Sequence, residues 1–455
     1  VRELRAGLAI DPLAESTHRA LMVALASSGM RAQALEHFEQ CEELLRRELD
    51  AEPDAATRAV YDRIAAGGAP VAGNRGLPRG FDSVAVLPFA NATGDPGYDY
   101  LGEGLCESLI RALARSPSWR VMAPSTVMAW RRREQDPRAV GRDLGVALVV
   151  LGRIARHPGG LVIHVEVARA DDGSLQWGER FTASEGNLVE VEHAIVGAVE
   201  VQLGGRHGRG PSTQSALAFE HYLRGRHEWN KRTAASLQAA KTCFEAAIDS
   251  DPGYALAWVG LADCHHLSPL YTGAPPHEVM PKSRAAAVRA LDLDRDLAEA
   301  HTSLAYVTFT YDWDLARAEQ GFRRAIELSP GYATAHQWRH ELLTAAGRVA
   351  EQRAAIERAR QLDPLSPIIQ AEVGWGLYHA RDAEGAIAHL QRTVVAQPSF
   401  SVAWLVLGLA HQLAGDSPAA LVALERGRSL QSPPLLLLGA LGHVFARMAR
   451  RGDRP

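Results

Sequence analysis

Proline recurs along this chain at a near-constant step, and each one is tied to the same apolar pattern. Pro330, Pro364 and Pro398 stand 34 residues apart, and Pro252 and Pro12 carry the same surroundings. Six, nine and ten residues after Pro252 come Trp258, Leu261 and Ala262. After Pro398 the same count reaches Trp404, Leu407 and Gly408, and after Pro12 it reaches His18, Leu21 and Met22. Twelve, eight and five residues before Pro252 stand Ala240, Phe244 and Ala247; before Pro330 stand Ala318, Phe322 and Ala325. Such a period describes a helical hairpin whose second helix stops at a residue with no N–H to continue it. One hairpin cannot bury its apolar face alone. Hairpins stack and leave a concave surface, so the pattern points to binding before chemistry.

A period of 34 with these offsets is that of the tetratricopeptide repeat. The expected fold class is therefore mostly α, with tetratricopeptide-type hairpins flanking a small α/β domain. Residues 1–66 read as helical, with Leu21, Leu25, Leu35, Phe38, Leu45 and Leu49 at helical spacing and a break at Ser28-Gly29. Residues 1–9 read as the end of a helix whose partner precedes Val1. A Gly- and Pro-rich linker spans 67–80. Over 81–203 the period changes. Apolar runs at 83–88, 120–123, 147–154, 161–168 and 175–181 predict strands, and 98–114, 137–144 and 187–203 predict helices. The order β-α-β-α-β-β-β implies a layered α/β or α+β unit with helices on one face. A second linker covers 204–213, and 214–449 read as stacked hairpins. The step from Pro252 to its equivalent Arg295 is 43, which marks residues 268–281 as an insertion and predicts a loop there.

Net charge is −4 with 22% charged residues, which gives no general attraction to nucleic acid or anionic lipid. The short Arg131-Arg132-Arg133 cluster reads as the solvated end of a helix. Cys41, Cys106, Cys243 and Cys264 form no CxxC pair, as expected for thiols in a reducing compartment. The N-terminus carries no apolar signal segment, and Leu435 to Leu441 is too short to span a bilayer. A cytoplasmic protein without membrane contact is the expectation.

Three stretches resemble known families. Asp11-Pro12-Leu13-Ala14-Glu15, His18 to Met22, Ala34-Leu35, Phe38, Leu44 to Leu49, Glu52-Pro53, Thr57-Arg58 and Tyr61 resemble the C-terminal half of the bacterial transcriptional activator domain of antibiotic-regulatory (SARP-type) regulators. Val84 to Phe89, Asn91, Gly94-Asp95-Pro96, Tyr100, Gly104-Leu105, Leu109 and Ala112-Leu113 are similar to the TolB-like N-terminal domain. Gly141, Leu144-Gly145-Val146, Gly152, Leu175, Trp177 and Glu179-Arg180 continue that likeness. Tyr222 to Arg226 and onward are similar to the arrays that follow this domain in some adenylate cyclases and transcription regulators. In such regulators a winged-helix DNA-binding domain precedes the activator domain, and no residues of this sequence match it. The resemblance implies a regulatory, protein-binding portion of a transcription regulator that reaches DNA only through a domain outside this sequence. The sensor and scaffold region of an adenylate-cyclase-type protein, or a free-standing peptide-binding scaffold, are the alternatives.

Chemistry candidates are few. Asp263-Cys264-His265-His266 offers metal-type ligands, but adjacent helical residues diverge by roughly 100° and do not chelate together. Gly102-Glu103-Gly104 lacks the further motif of a phosphate loop. Asn91, Asp95 and Ser125 follow strands, where ligand loops often lie, although Asp95-Pro96 is equally a helix start. No nucleophile–base set or carboxylate pair stands out, so neither enzyme activity, nor a cofactor, nor a metal is expected. On the array, Asp263, His266, Tyr306, Phe309, Gln337, Glu341, Trp375 and Tyr378 fall at offsets seven, eleven or fourteen from the proline-equivalents. These offsets place them on one side of successive first helices, the side expected to bind a protein or peptide. Packing between repeats is the rival role for the aromatic members.

Overall fold

A computed structural model describes residues 13, 15–27, 30–49, 52–53, 55–65, 81–131, 133, 135–158, 160–184, 186–204, 212–231, 233–430 and 435–451. The chain divides into two compact units, residues 1–79 with 201–206 and residues 80–200 with 207–455.

In the first unit, Glu15–Ser27 (α1), Arg31–Leu49 (α2) and Ala55–Ala65 (α3) close over Leu21, Met22, Leu25, Ala34, Phe38 and Ile64. Arg31 donates from Nε to the Ile64 carbonyl at 2.8 Å and from Nη2 to the Ala65 carbonyl at 2.7 Å. These are carbonyls that a helix end leaves without partners. The helix end expected at residues 1–9 and the Ser28-Gly29 break lie outside the described residues, as do most of the two linkers.

The second unit opens with a six-stranded sheet: Ser83–Val86 (β1), Ala90–Asn91 (β2), Arg120–Val121 (β3), Leu148–His157 (β4), Gly160–Arg169 (β5) and Leu175–Ala183 (β6). The order is β3-β1-β4-β5-β6, with β2 also on β4. β3, β1 and β4 run parallel, while β5 is antiparallel to β4 and β6. The buried run Val84 to Leu87 suits a central parallel strand, and the alternation along β5 suits a sheet with one wet face. Its helices are Asp99–Leu113 (α4), Pro124–Val127 (α5), Pro137–Leu144 (α6) and Leu188–Gln202 (α7). The two-residue β2 carries too short a pattern to read from sequence.

The array follows as Ala216–Asn230 (α8), Ala234–Ser250 (α9), Ala255–Thr272 (α10), Pro276–Leu293 (α11), Ala298–Thr310 (α12), Leu315–Leu328 (α13), Ala333–Ala345 (α14), Val349–Leu362 (α15), Pro367–His379 (α16), Ala383–Ala396 (α17), Ser401–Leu413 (α18), Ser417–Arg428 (α19) and Leu435–Arg451 (α20). The periodic residues are its core: Ala240, Phe244, Ala247, Ala318, Phe322 and Ala325 are fully buried. Small residues of one helix receive large ones of the next. A Cβ on Gly260 would come within 2.5 Å of the Phe244 ring, and one on Gly408 within 2.5 Å of Leu424.

The sixth residue after each proline-equivalent closes the corner between hairpins. Trp258 and Trp404 donate from Nε1 to the Pro252 and Pro398 carbonyls at 3.0 and 2.9 Å. Gln370 donates to the Pro364 carbonyl at 2.7 Å. His301 and His336 hold Nε2 at 2.9 and 3.0 Å from the carbonyls of Arg295 and Pro330. A carbonyl only accepts, so both rings carry their proton on Nε2.

The insertion corrects the sequence-based expectation. Residues 268–281 form no long loop; they lengthen α10 and α11, leaving Gly273, Ala274 and Pro275 between the helices. Gly273 ends α10 at φ 71°, and Pro276 starts α11 at a position where no N–H is needed. Pro269 and Pro281 lie inside the two helices. Each forfeits its own backbone bond, and that was not enough to stop them.

Candidate functional site

The α/β domain is held to the array at two places. At the first, α4 lies along α8. Glu107 accepts from Arg226 Nε at 2.8 Å and Asn230 Nδ2 at 2.6 Å. His227 Nδ1 lies 2.7 Å from Glu103 Oε2, while Arg131 pairs with Glu103 Oε1 at 2.5 Å. Arg111 donates to the Tyr222 hydroxyl at 3.1 Å. Burial works against the Arg226 charge, but the Glu107 carboxylate more than offsets it and the guanidinium stays protonated. Gly102-Glu103-Gly104 acquires its reason here. A Cβ on Gly102 would meet the Phe89 carbonyl at 2.3 Å, and one on Gly104 would meet Leu223 at 2.5 Å. The glycines admit neighbours; they do not cradle a phosphate.

At the second place the turn at α5 grips the corner between α15 and α16. The Ala123 N–H donates to the Leu362 carbonyl at 2.8 Å. Asp363 accepts from the Ser125 hydroxyl and, at 2.6 Å, from Thr126 Oγ1, which in turn accepts from the Leu365 N–H at 3.0 Å. Burial raises the Asp363 pKa, and these hydroxyl donors partly hold it back. At the α13–α14 corner the Gly331 N–H adds a bond to the Ala114 carbonyl at 2.9 Å.

Under this second contact lies a cavity of about 1430 Å³ along the first helices of the hairpins, with Pro124, Ser125 and Met128 of the α/β domain at its edge. Its wall includes Tyr306 and Phe309 of α12, Gln337, Trp338, His340 and Glu341 of α14, Gln352 of α15, and Glu372, Trp375 and His379 of α16. The Tyr306 and Trp338 rings lie 4.3 Å apart, with the buried His266 ring 5.1 Å from the first and 5.0 Å from the second. Trp375 stacks on His379 at 5.4 Å. Two carboxyl groups meet among these rings. Gln337 Nε2 donates to Glu372 Oε1 at 2.8 Å. Burial pushes Glu341 up to about 7, and burial together with the Glu341 charge pushes Glu372 well above the usual carboxylate range. Burial, with these carboxyls as further contributors, also raises the Tyr306 hydroxyl.

Of the eight concave-face residues read from sequence, Tyr306, Phe309, Gln337, Glu341 and Trp375 line this cavity. Phe309 also packs in the core with Phe322 and Trp338. Asp263 is buried beside α12, where Ser303 Oγ donates to it at 2.6 Å. His266 lies behind the Tyr306 and Trp338 rings, and Tyr378 makes an edge contact with Trp375 at 5.6 Å. His265, next to Asp263 and Cys264, is buried, which lowers its pKa to about 4. Among the described residues no group of three or more His, Cys, Asp or Glu is arranged for a metal.

The three loop candidates do not come together as a site. Asn91 donates to the Asp95 carbonyl and to Asp99 Oδ1, both at 2.8 Å, and accepts from Thr93. Asp95 caps the turn at Gly97 at 2.9 Å and pairs with Arg156 at 3.1 Å. Ser125 is committed to Asp363. Sequence reasoning missed Glu372, Trp338, Gln352 and His340. All four sit at repeat positions that hold small or apolar residues in most other hairpins, and that departure was a usable signal.

Comparison with known proteins gives two family matches: the bacterial transcriptional activator domain over residues 1–65, and a tetratricopeptide repeat over residues 230–277. "Putative adenylate cyclase 3" of Rhizobium meliloti is 28% identical over 234 residues, 49% of this chain and 39% of that protein. "Transcriptional regulator HilA" of Salmonella typhimurium is 28% identical over 202 residues, 42% of this chain and 36% of that protein. The chain thus spans less than two fifths of the length of these relatives. Among solved structures, the Cut9–Hcn1 complex of the APC/C aligns at 15% identity and TM-score 0.44, covering 57% of this chain and 48% of that one. Among the described residues no helix is long and apolar enough to cross a membrane.

Proposed function

We propose that these residues are the regulatory, non-catalytic and protein-interacting portion of a bacterial transcription regulator. The match of residues 1–65 to the bacterial transcriptional activator domain, in one chain with a tetratricopeptide array, carries this reading. It accords with the likeness to a named transcriptional regulator. The α/β domain, read as TolB-like, and the array act together as the sensing part. The concave face, with Tyr306, Phe309, Gln337, Glu341, Trp375 and Tyr378, takes a protein or peptide. DNA is reached through a domain outside this sequence. A net charge of −4 supports this, because phosphate attraction needs clustered cations. The likeness to the Rhizobium protein favours a second reading, the sensor region of a cyclase-type signalling protein.

The DNA upstream of the first codon separates the two. A winged-helix reading frame there is the expected result, and a cyclase catalytic frame would transfer the chain to the second reading. Purified 455-residue protein should show no sequence-selective duplex binding at about 150 mM salt. Nanomolar selective binding would contradict the proposal.

A further inference from the structure

We propose that the cavity beneath the α/β domain binds an organic cation, an alkylammonium whose charged head sits at Glu341 and Glu372 and whose apolar body lies against Tyr306, Trp338 and Trp375. It shares Tyr306, Glu341 and Trp375 with the proposed protein-binding face but names a ligand chemistry that stands without a protein partner. Two observations carry it. Glu372 Oε1 accepts from Gln337, while Oε2 is buried and receives no hydrogen bond from an N–H or a hydroxyl among the described residues. Its carboxyl neighbour Glu341 can bridge to it only while one of the two holds a proton. The walls carry the aromatic side chains Tyr306, Trp338 and Trp375, and aromatic rings attract a cation through their quadrupoles and an alkyl chain through burial.

The cations already present are not free to fill this role. Arg226 is paired with Glu107. His340 directs Nδ1 to the Gln352 carbonyl at 3.2 Å, and burial lowers its pKa. His379 stacks on Trp375. The buried His266 lies behind the rings, and burial keeps the Tyr306 and Tyr332 hydroxyls protonated. An ammonium would supply two or more donors to a carboxyl pair that otherwise must retain a proton. Binding therefore displaces that proton.

Titration calorimetry on the full chain tests this, with hexylammonium as the probe and 1-hexanol as its neutral counterpart. Hexylammonium should bind, at least tenfold more tightly than hexanol, and more tightly at pH 8 than at pH 5.5. Heats in buffers of different ionisation enthalpy should report proton release. Glu372→Gln, which keeps the shape of the side chain, should weaken the probe about tenfold while leaving the melting temperature unchanged or raised. Acetyl-lysine-methylamide forms a second arm. Tighter binding than hexylammonium assigns the head group to a partner's lysine, and weaker binding assigns it to a free amine. Equal binding of hexanol and hexylammonium, or unchanged affinity in folded Glu372→Gln, would overturn the proposal.

Discussion

The α18–α19 and α14–α15 hairpins are built on one period and use it differently. Eight and ten residues after its proline, α18 carries Val406 and Gly408, and its partner helix offers Ala420. Val406 and Ala420 are fully buried, and Gly408 is small enough to receive Leu424. The same positions of α14–α15 hold Trp338, His340 and Gln352, which are 8%, 2% and 5% exposed. Glu372 occupies the eighth position of the next hairpin. Burying polar groups where alanine and glycine would suffice costs free energy unless they are paired. The first hairpin uses these positions for packing. The second turns several toward a cavity, and its departures from the repeat cluster in space.

The largest effect that would sharpen this contrast lies in the regular part. Phe322→Ala should lower stability by about 3–5 kcal/mol in denaturant unfolding, because the ring is fully buried among neighbouring hairpins. Next comes the contact between domains. Asp363→Ala leaves the Ser125 and Thr126 hydroxyls without their acceptor and should cost about 1–3 kcal/mol. Native-state hydrogen exchange should show residues 120–130 opening more readily; unchanged protection there would mean that the α4–α8 contact and the backbone bonds from Ala123 and Gly331 hold the domain without Asp363.

The carboxyl pair makes a pH-dependent prediction. Glu341 and Glu372 both have folded pKa values above the ordinary carboxylate value, so the fold binds more protons than the unfolded chain. The Glu341 contribution is fully present below about 4.5 and is lost as pH rises through about 7, and that of Glu372 is lost as pH rises through its own raised pKa. Stability should fall across that window by at most about 1.4 kcal/mol per pH unit for each proton. Glu372→Gln should flatten the slope, and an identical slope in the variant would assign it to other groups.

The smallest effect concerns the turn inside each hairpin. Gly347 and Gly415 adopt φ of 70° and 84°, and at the equivalent positions Trp313 and Arg381 adopt 59° and 64°. Side chains other than glycine's are strained there. Trp313→Gly and Arg381→Gly should each stabilise by about 0.5–1 kcal/mol, since relief of strain outweighs the added freedom of the unfolded chain. A loss in both would mean that these side chains hold contacts worth more than the strain.

Much of this fold is legible in the sequence because its core is periodic. Ala325, Phe322 and Trp258 occupy positions whose partners can be counted from a proline. The sheet is legible where runs are long, as in β4 and β5, and not at β2, where two residues carry no pattern. The insertion misled because extra residues in a stack of hairpins usually loop out, whereas these extend two helices in which neighbouring turns outweigh the one bond each that Pro269 and Pro281 forfeit. The cavity was half visible. Glu341 and Trp375 follow from the facing rule. Glu372 and Gln352 are marked only by their departure from the small or apolar residues of other hairpins, and periodicity says nothing of a gap beside them. Contacts between domains, such as Ser125 with Asp363, depend on residues 238 apart and leave no local trace.

Equilibrium unfolding of the Glu341→Gln/Glu372→Gln double variant at pH 8 tests the division between packing and cavity most directly. Amides keep the shapes and can bond to each other and to Gln337 without a shared proton. The variant should unfold at or above the wild-type midpoint while losing the ammonium probe. A loss of about 3 kcal/mol or more, the size expected when a buried pairing is broken, would mean that these carboxyls hold the hairpins together and that the concave wall is part of the packing.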